Sequence, residues 1–130
     1  MSKAAQKKAD AAKFEARVKS ALVDAHAAAK AAYEDFANTA DRNSEGHIKD
    51  SCGGGYVVVY RTSYRLRTTL KKMNEITQGY RGGWHVSHFT KEVHSQSVTA
   101  GVKAAEAARE ILHREFGVTD GEFYAESYID

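Results

Sequence analysis

The sequence predicts an α+β fold: a long N-terminal alanine-rich helix, followed by a small β-α-β-α-β two-layer domain. Three observations carry this reading. Alanine, the best helix former, dominates the first forty residues, and larger apolar side chains recur there at helical spacing. A valine triplet, Val57 to Val59, stands between Tyr56 and Tyr60 and suits a strand buried on both faces. Beyond it, amphipathic stretches alternate with short aromatic ones. The 130 residues contain no proline, so few positions impose a hard break. A chain of this length predicts one domain with an appendage, enough to bury about two-thirds of its unfolded surface.

Residues 2–41 read as one helix capped by Ser2. Phe14, Val18, Leu22, Ala25, Ala29, Ala32 and Phe36 step by three and four onto one face, with Lys13, Lys19, Lys30 and Glu34 opposite. The residues before Phe14 lack a large apolar side chain after Met1 and are expected to fray. Forty residues of helix reach about 60 Å, longer than a compact domain of this size. Such a helix packs on its own domain, or residues 14–36 form the seam of a homo-oligomer. Residues 42–55 read as a glycine-rich connection, because Asn43, Ser44, Gly46, Asp50 and Ser51 are turn formers. It separates a helical arm, 1–41, from an α+β globular domain, 56–130. Gly53-Gly54-Gly55 precede a strand, whereas phosphate-cradling glycine loops follow one and open a helix. They read instead as a turn or a place of close backbone approach.

Tyr56 to Arg61 is the clearest strand. Thr62 or Ser63 caps a helix to about Ile76, with Leu66, Leu70 and Met73 inward, and Gln78-Gly79 ends it. Gly82 to Thr90 reads as a second strand with Trp84, Val86 and His88 on one face. Ser95 or Ser97 opens the last helix, whose stripe runs from Val98 through Val102, Ala105, Ala108, Ile111 and Leu112 to Phe116, before Gly117 stops it. Glu122 to Tyr128 is a third strand, with Phe123, Ala125 and Ser127 opposite Tyr124, Glu126 and Tyr128. These strand–helix–strand spacings predict right-handed parallel crossovers. The open face of a three-stranded sheet would be covered by the helical arm, or the sheet extended by a second copy.

The formal net charge of +2 hides a pattern. Residues 56–91 carry seven basic side chains against Glu75 alone, while residues 115–130 carry five acidic ones and neither lysine nor arginine. Such asymmetry speaks about partners rather than fold. No apolar run approaches the roughly 20 residues that span a bilayer, and the lysine-bearing start lacks the apolar stretch of a signal peptide. The single cysteine, Cys52, excludes a disulfide framework within the chain. The expected location is the cytoplasm, that of a host cell for a viral protein, or a virion.

Four short stretches stand out in residues 48–130: Asp50-Ser51-Cys52-Gly53 before the valine strand, Gly83-Trp84, Gln96-Ser97-Val98 opening the alanine-rich helix, and Tyr124-Ala125-Glu126-Ser127 near Asp130. In these the chain resembles small uncharacterised proteins encoded by bacteriophages. The resemblance leaves out the helical arm. It implies a phage origin and assigns no functional residue.

Four constellations bear on chemistry. Nucleic-acid binding needs cations for phosphates and flat rings for bases. Arg61, Arg65, Arg67, Lys71, Lys72 and Arg81 offer the first, with Arg65, Lys71 and Lys72 foremost; Tyr60, Tyr64, Tyr80 and Trp84 offer the second. The competing reading is a solvated helix face above core aromatics, Trp84 among them. Cys52 would be a nucleophile only with a histidine such as His47 or His85 and an acid such as Asp50; a lone cysteine is more often a small buried side chain. His85, His88 and His94, with Cys52 or His47, offer zinc ligands, but His85 and His88 fall on opposite faces of a strand. Glu122, Glu126 and Asp130 read as catalytic or metal-binding carboxylates, as a mimic of nucleic-acid charge, or as the outward face of a terminal strand. The reading that results is a non-enzymatic interaction protein of phage type, engaging nucleic acid or a host protein through its basic aromatic middle, without cofactor, metal or membrane. A virion assembly component built on the N-terminal helix is the alternative, and a cysteine-dependent enzyme the third.

Overall fold

A computed structural model describes residues 2–79, 81–91 and 93–130. Helix α1 spans Lys3–Thr39. Strand β1 (Gly53–Thr62) follows, then helix α2 (Tyr64–Lys72), strands β2 (Ile76–Gln78) and β3 (Trp84–Val86), helix α3 (Val98–Phe116) and strand β4 (Gly121–Ile129). The fold is α+β, as the sequence indicates. Each helix starts at an expected cap: the hydroxyls of Ser2, Ser63 and Ser97 accept the backbone N–H of Ala5, Leu66 and Ala100, meeting a donor that the first helical turn leaves open.

The sheet order is β2-β3-β1-β4, and every neighbouring pair is antiparallel. Strand β2 falls where the sequence predicts the end of a helix. Helix α2 ends at Lys72 instead of running to Ile76, because Asn74 takes a left-handed backbone (φ 59°) and turns the chain. Ile76 then opens a strand that pairs with β3. The crossover expected across α3 does connect strands of like direction, β3 to β4, but the one expected from β1 to the Trp84 strand does not: β2 intervenes, β3 runs antiparallel to β1, and across α2 it is β1 and β2 that share a direction. One antiparallel strand lies between the members of each pair, so no two adjacent strands are parallel. After α1, the order β-α-β-β-α-β with split crossovers is the ferredoxin-like arrangement. The Gly53–Gly55 run is not a turn but the start of β1, paired with Ser127 to Ile129.

Helix α1 is not set apart from the rest. Its Phe14, Val18, Ala21, Leu22, Ala25 and Ala29 are buried in the same core as Val57 and Val59 of β1, Leu66 and Leu70 of α2, and Ala104, Ala108 and Phe116 of α3. The seam with α3 is made largely of alanine, which lets two helices approach closely, and it closes with Phe14 edge-on to Phe116 at 5.9 Å. Of the stripe offered as an oligomer seam, residues 14–36, the part from Phe14 to Ala29 is thereby occupied within the chain, while Ala32 and Phe36 are half-buried. Val23 stays exposed on the far side. The turns before Phe14 are helical but exposed throughout. No helix among the described residues is long and apolar enough to cross a membrane.

Candidate functional site

The register of the strands sorts their side chains into two faces, because opposed residues of an antiparallel pair share a side. Val57 and Val59 face the helices with Phe123, Ala125, Trp84, Val86 and Ile76. The other face takes Tyr56, Val58 and Tyr60 of β1, His85 of β3, and Tyr124, Glu126 and Tyr128 of β4. No helix covers it. Val58 is nonetheless buried, at 1% exposure, because rings close over it. The valine triplet is therefore buried on both faces as expected, by helices on one side and aromatic rings on the other.

Those rings form two groups joined through Glu126. Tyr56 stacks on His85 with centroids 4.3 Å apart and lies 6.5 Å from Tyr128; Tyr60 tilts against Tyr124 at 5.7 Å. Tyr60, Tyr124 and Tyr128 keep 38%, 45% and 53% of their surface exposed. The face is concave, with a groove of about 620 Å³ lined by Tyr56, Tyr60, Arg81, His85, Glu126 and Tyr128 among others. Glu126 ties the surface together: its carboxylate accepts the hydroxyl of Tyr56 at 3.1 Å and that of Tyr60 at 2.8 Å. Both phenols are pushed above their ordinary pKa. Burial leads for Tyr56, followed by the Glu126 hydrogen bond; the hydrogen bond leads for Tyr60; Arg81 pulls the other way in each case.

The structure divides the basic residues proposed from sequence. Arg81 lines the groove and is exposed. Arg61 is exposed in β1, its Nε 3.9 Å from Glu122. The other four basic residues stand on α2, across the sheet from the ring surface, and each has a neighbour there. Arg65 donates from Nε and Nη2 to the buried Asp120 at 2.9 and 3.0 Å, and its guanidinium lies 4.2 Å over Phe14. Lys72 reaches Glu15 at 3.4 Å, and Arg67 lies 5.9 Å from the ring centre of Tyr64. Lys71 sits 4.6 Å over Trp84, which packs against the core on the helix side, as the competing reading had it. Tyr80 lies outside the described residues. The sequence reading did not single out Tyr56, Tyr124, Tyr128 or His85 as part of a ring surface. Their signal was parity, since Tyr56, Val58 and Tyr60 alternate on one strand as Tyr124, Glu126 and Tyr128 do on another.

A second groove, of about 880 Å³, is lined by Arg42, His47, Asp50, Cys52, His94 and Ser97 among others. It contains the acid that a cysteine mechanism would recruit, but that acid is engaged. Asp50 accepts the Ser97 hydroxyl at 2.6 Å and the N–H groups of Thr99 and Ser51, each at 2.8 Å. These bonds, Ser97 first and Thr99 next, hold its carboxyl well below the usual carboxylate range. Asp50 thus serves the N-terminus of α3, where a negative charge meets unpaired N–H groups. Among the described residues no group of three or more His, Cys, Asp or Glu side chains is placed to hold a metal ion.

No protein-family model, no curated protein and no solved structure matches the chain.

Proposed function

We propose that the chain is a small, non-enzymatic, phage-type interaction protein that binds single-stranded nucleic acid on the uncovered face of its sheet. One observation carries the reading: a concave aromatic surface lies on the side of the sheet away from all three helices. Exposed bases stack on such rings with little regard to sequence, at about 1–3 kcal/mol per base. A four-stranded sheet whose face offers two or three aromatic platforms is a recurring solution to this problem. Arg81 lines the same groove, where a backbone crossing the rings would pass. The α2 cations lie on the other side of the sheet and serve the fold. This reading therefore moves the interface from α2 to the tyrosines.

The test is a titration of labelled single-stranded DNA, RNA and duplex DNA across a salt series, with Tyr60→Ala, Tyr124→Ala, Arg81→Ala and Lys72→Ala beside the unaltered chain. Single strands are expected to bind better than duplex. Either tyrosine change is expected to weaken binding about tenfold or more, Arg81→Ala to weaken it and flatten the salt slope, and Lys72→Ala to change little. Absence of binding at low salt overturns the reading.

Glu126 favours a second reading. Its carboxylate sits amid the rings, and its strand, β4, also carries Glu122 and no lysine or arginine. A tyrosine-rich, mixed-charge surface also suits a protein partner, such as a host protein. Binding to a basic protein surface, with no affinity for nucleic acid, would select it.

A further inference from the structure

Strand β4 is the last strand on its side of the sheet, and its outer edge is open. Which of its backbone groups face outward follows from two hydrogen bonds. Asp130 donates its N–H to Cys52 O at 2.9 Å, which turns residue 130 toward β1. Alternation gives Tyr128, Glu126 and Tyr124 the same direction, and directs Ile129, Ser127, Ala125 and Phe123 to the outer edge. The Phe123 carbonyl is indeed met from outside, by Arg109 Nε at 2.8 Å. Among the described residues no hydrogen bond reaches the outward N–H or C=O of Ala125, Ser127 or Ile129.

We infer that this edge pairs with the same edge of a second copy, antiparallel about a twofold axis at Ser127. The other edge strand, β2, has three residues, whereas β4 has nine. Edges are normally guarded by brevity, proline, lysine or a bulge. The 125–129 stretch has none of these: its pairing with β1 is regular and its sequence is Ala-Glu-Ser-Tyr-Ile. A Ser127 centre sets Ala125 against Ile129 of the second copy and Glu126 against Tyr128, so no like charges lie directly opposite. It also stops short of Phe123, whose carbonyl Arg109 already occupies. The Glu126 carboxylate leans inward to Tyr56 and Tyr60, which draws it away from its own symmetry mate. The exposed Tyr128 and Ile129 gain cross-strand neighbours. The product is one eight-stranded sheet in which the ring surfaces of both copies run on without a break. That this joined surface is the binding surface rests on the reading above; the pairing stands on the edge alone.

The test uses the full chain without nucleic acid, so its failure is distinguishable from a failure to bind. Mass is measured by light scattering and sedimentation from the micromolar to the millimolar range, and amide exchange is followed residue by residue. A concentration-dependent dimer is expected. The amides of Ala125, Ser127 and Ile129 should exchange freely when dilute and become protected when concentrated. Those of Tyr124, Glu126 and Tyr128 should be protected throughout, because they bond to β1. Ser127→Pro removes an outward N–H without touching the β1 ladder, and should leave a folded monomer. If it unfolds, Ile129→Lys, at a position 70% exposed, serves the same purpose. A monomer at every concentration, a dimer that both variants leave intact, or exchange at 125, 127 and 129 that ignores concentration would overturn the inference.

Discussion

Gly55 of β1 and Gly101 of α3 lie backbone to backbone. A Cβ built on Gly55 would stand 2.5 Å from the Gly101 carbonyl oxygen, and one on Gly101 would stand 2.6 Å from the Gly55 nitrogen. The obstacle in each case is main chain, which cannot swing aside. Gly55→Ala should therefore push the helix off the sheet and cost about 2 kcal/mol or more. Gly101→Ala should cost less, because alanine recovers up to about 1 kcal/mol of helix propensity. Urea unfolding measures both, as a lower midpoint at unchanged slope.

Asp120 is 3% exposed and accepts from Arg65 and the Ser63 hydroxyl. The Arg65 hydrogen bonds, more than any other cause, hold its carboxyl below the ordinary value. A depressed folded-state pKa gives stability that is full above the unfolded value, near 4, and is lost as pH falls through the folded one. Acid should thus destabilise the chain below about pH 4. Asp120→Asn should cost about 2 kcal/mol at neutral pH and flatten the acid limb. Thermal melts from pH 2 to 7 read both effects, and an unchanged acid limb in the variant would remove Asp120 from the account.

The tie between Glu126 and the two phenols is open to spectroscopy. The raised pKa of Tyr60 comes first from its bond to Glu126, so Glu126→Gln should return that phenol toward its ordinary value. Ultraviolet titration in the alkaline range would show tyrosine ionisation starting earlier. The same change removes an anion from among the rings and should tighten single-strand binding a few-fold at low salt. Weaker binding in the variant would mean that the carboxylate contacts the ligand.

Val118 offers a gain in stability. It is 95% exposed and holds φ at 73°, a left-handed backbone that a β-branched side chain resists. No packing repays the strain. Val118→Gly or Val118→Asn should stabilise the chain by about 1 kcal/mol, seen as a higher melting temperature, with nucleic-acid binding unchanged.

Much of the fold was legible because single residues announce it. Ser2, Ser63 and Ser97 mark three helix starts, and the stripes from Phe14 to Ala29 and from Val98 to Phe116 mark two buried faces. The strand order was not legible. It turns on β2, three residues long, too short for any periodicity to register, and on a left-handed Asn74 that a helix pattern through Met73 conceals. The candidate site was less legible for a related reason. A cluster of cations in sequence became a cluster in expectation, although α2 carries its share to the far side of the sheet, where Arg65 and Lys72 find Asp120 and Glu15. Strand parity would have gathered the tyrosines, but only once β1 and β4 were known to be neighbours.

The alanine seam between α1 and α3 also has a bearing on synthesis. Arg17 and Glu115, which meet across it, are 98 residues apart. At the pace of a ribosome the first helix waits about 5 to 20 s for its mate. A stripe of leucines held in water for that time would invite aggregation. Alanine favours helix in the waiting segment and limits the large apolar side chains of its buried face to Phe14, Val18 and Leu22, so the residue that permits tight packing at the end also reduces what the nascent chain exposes before it.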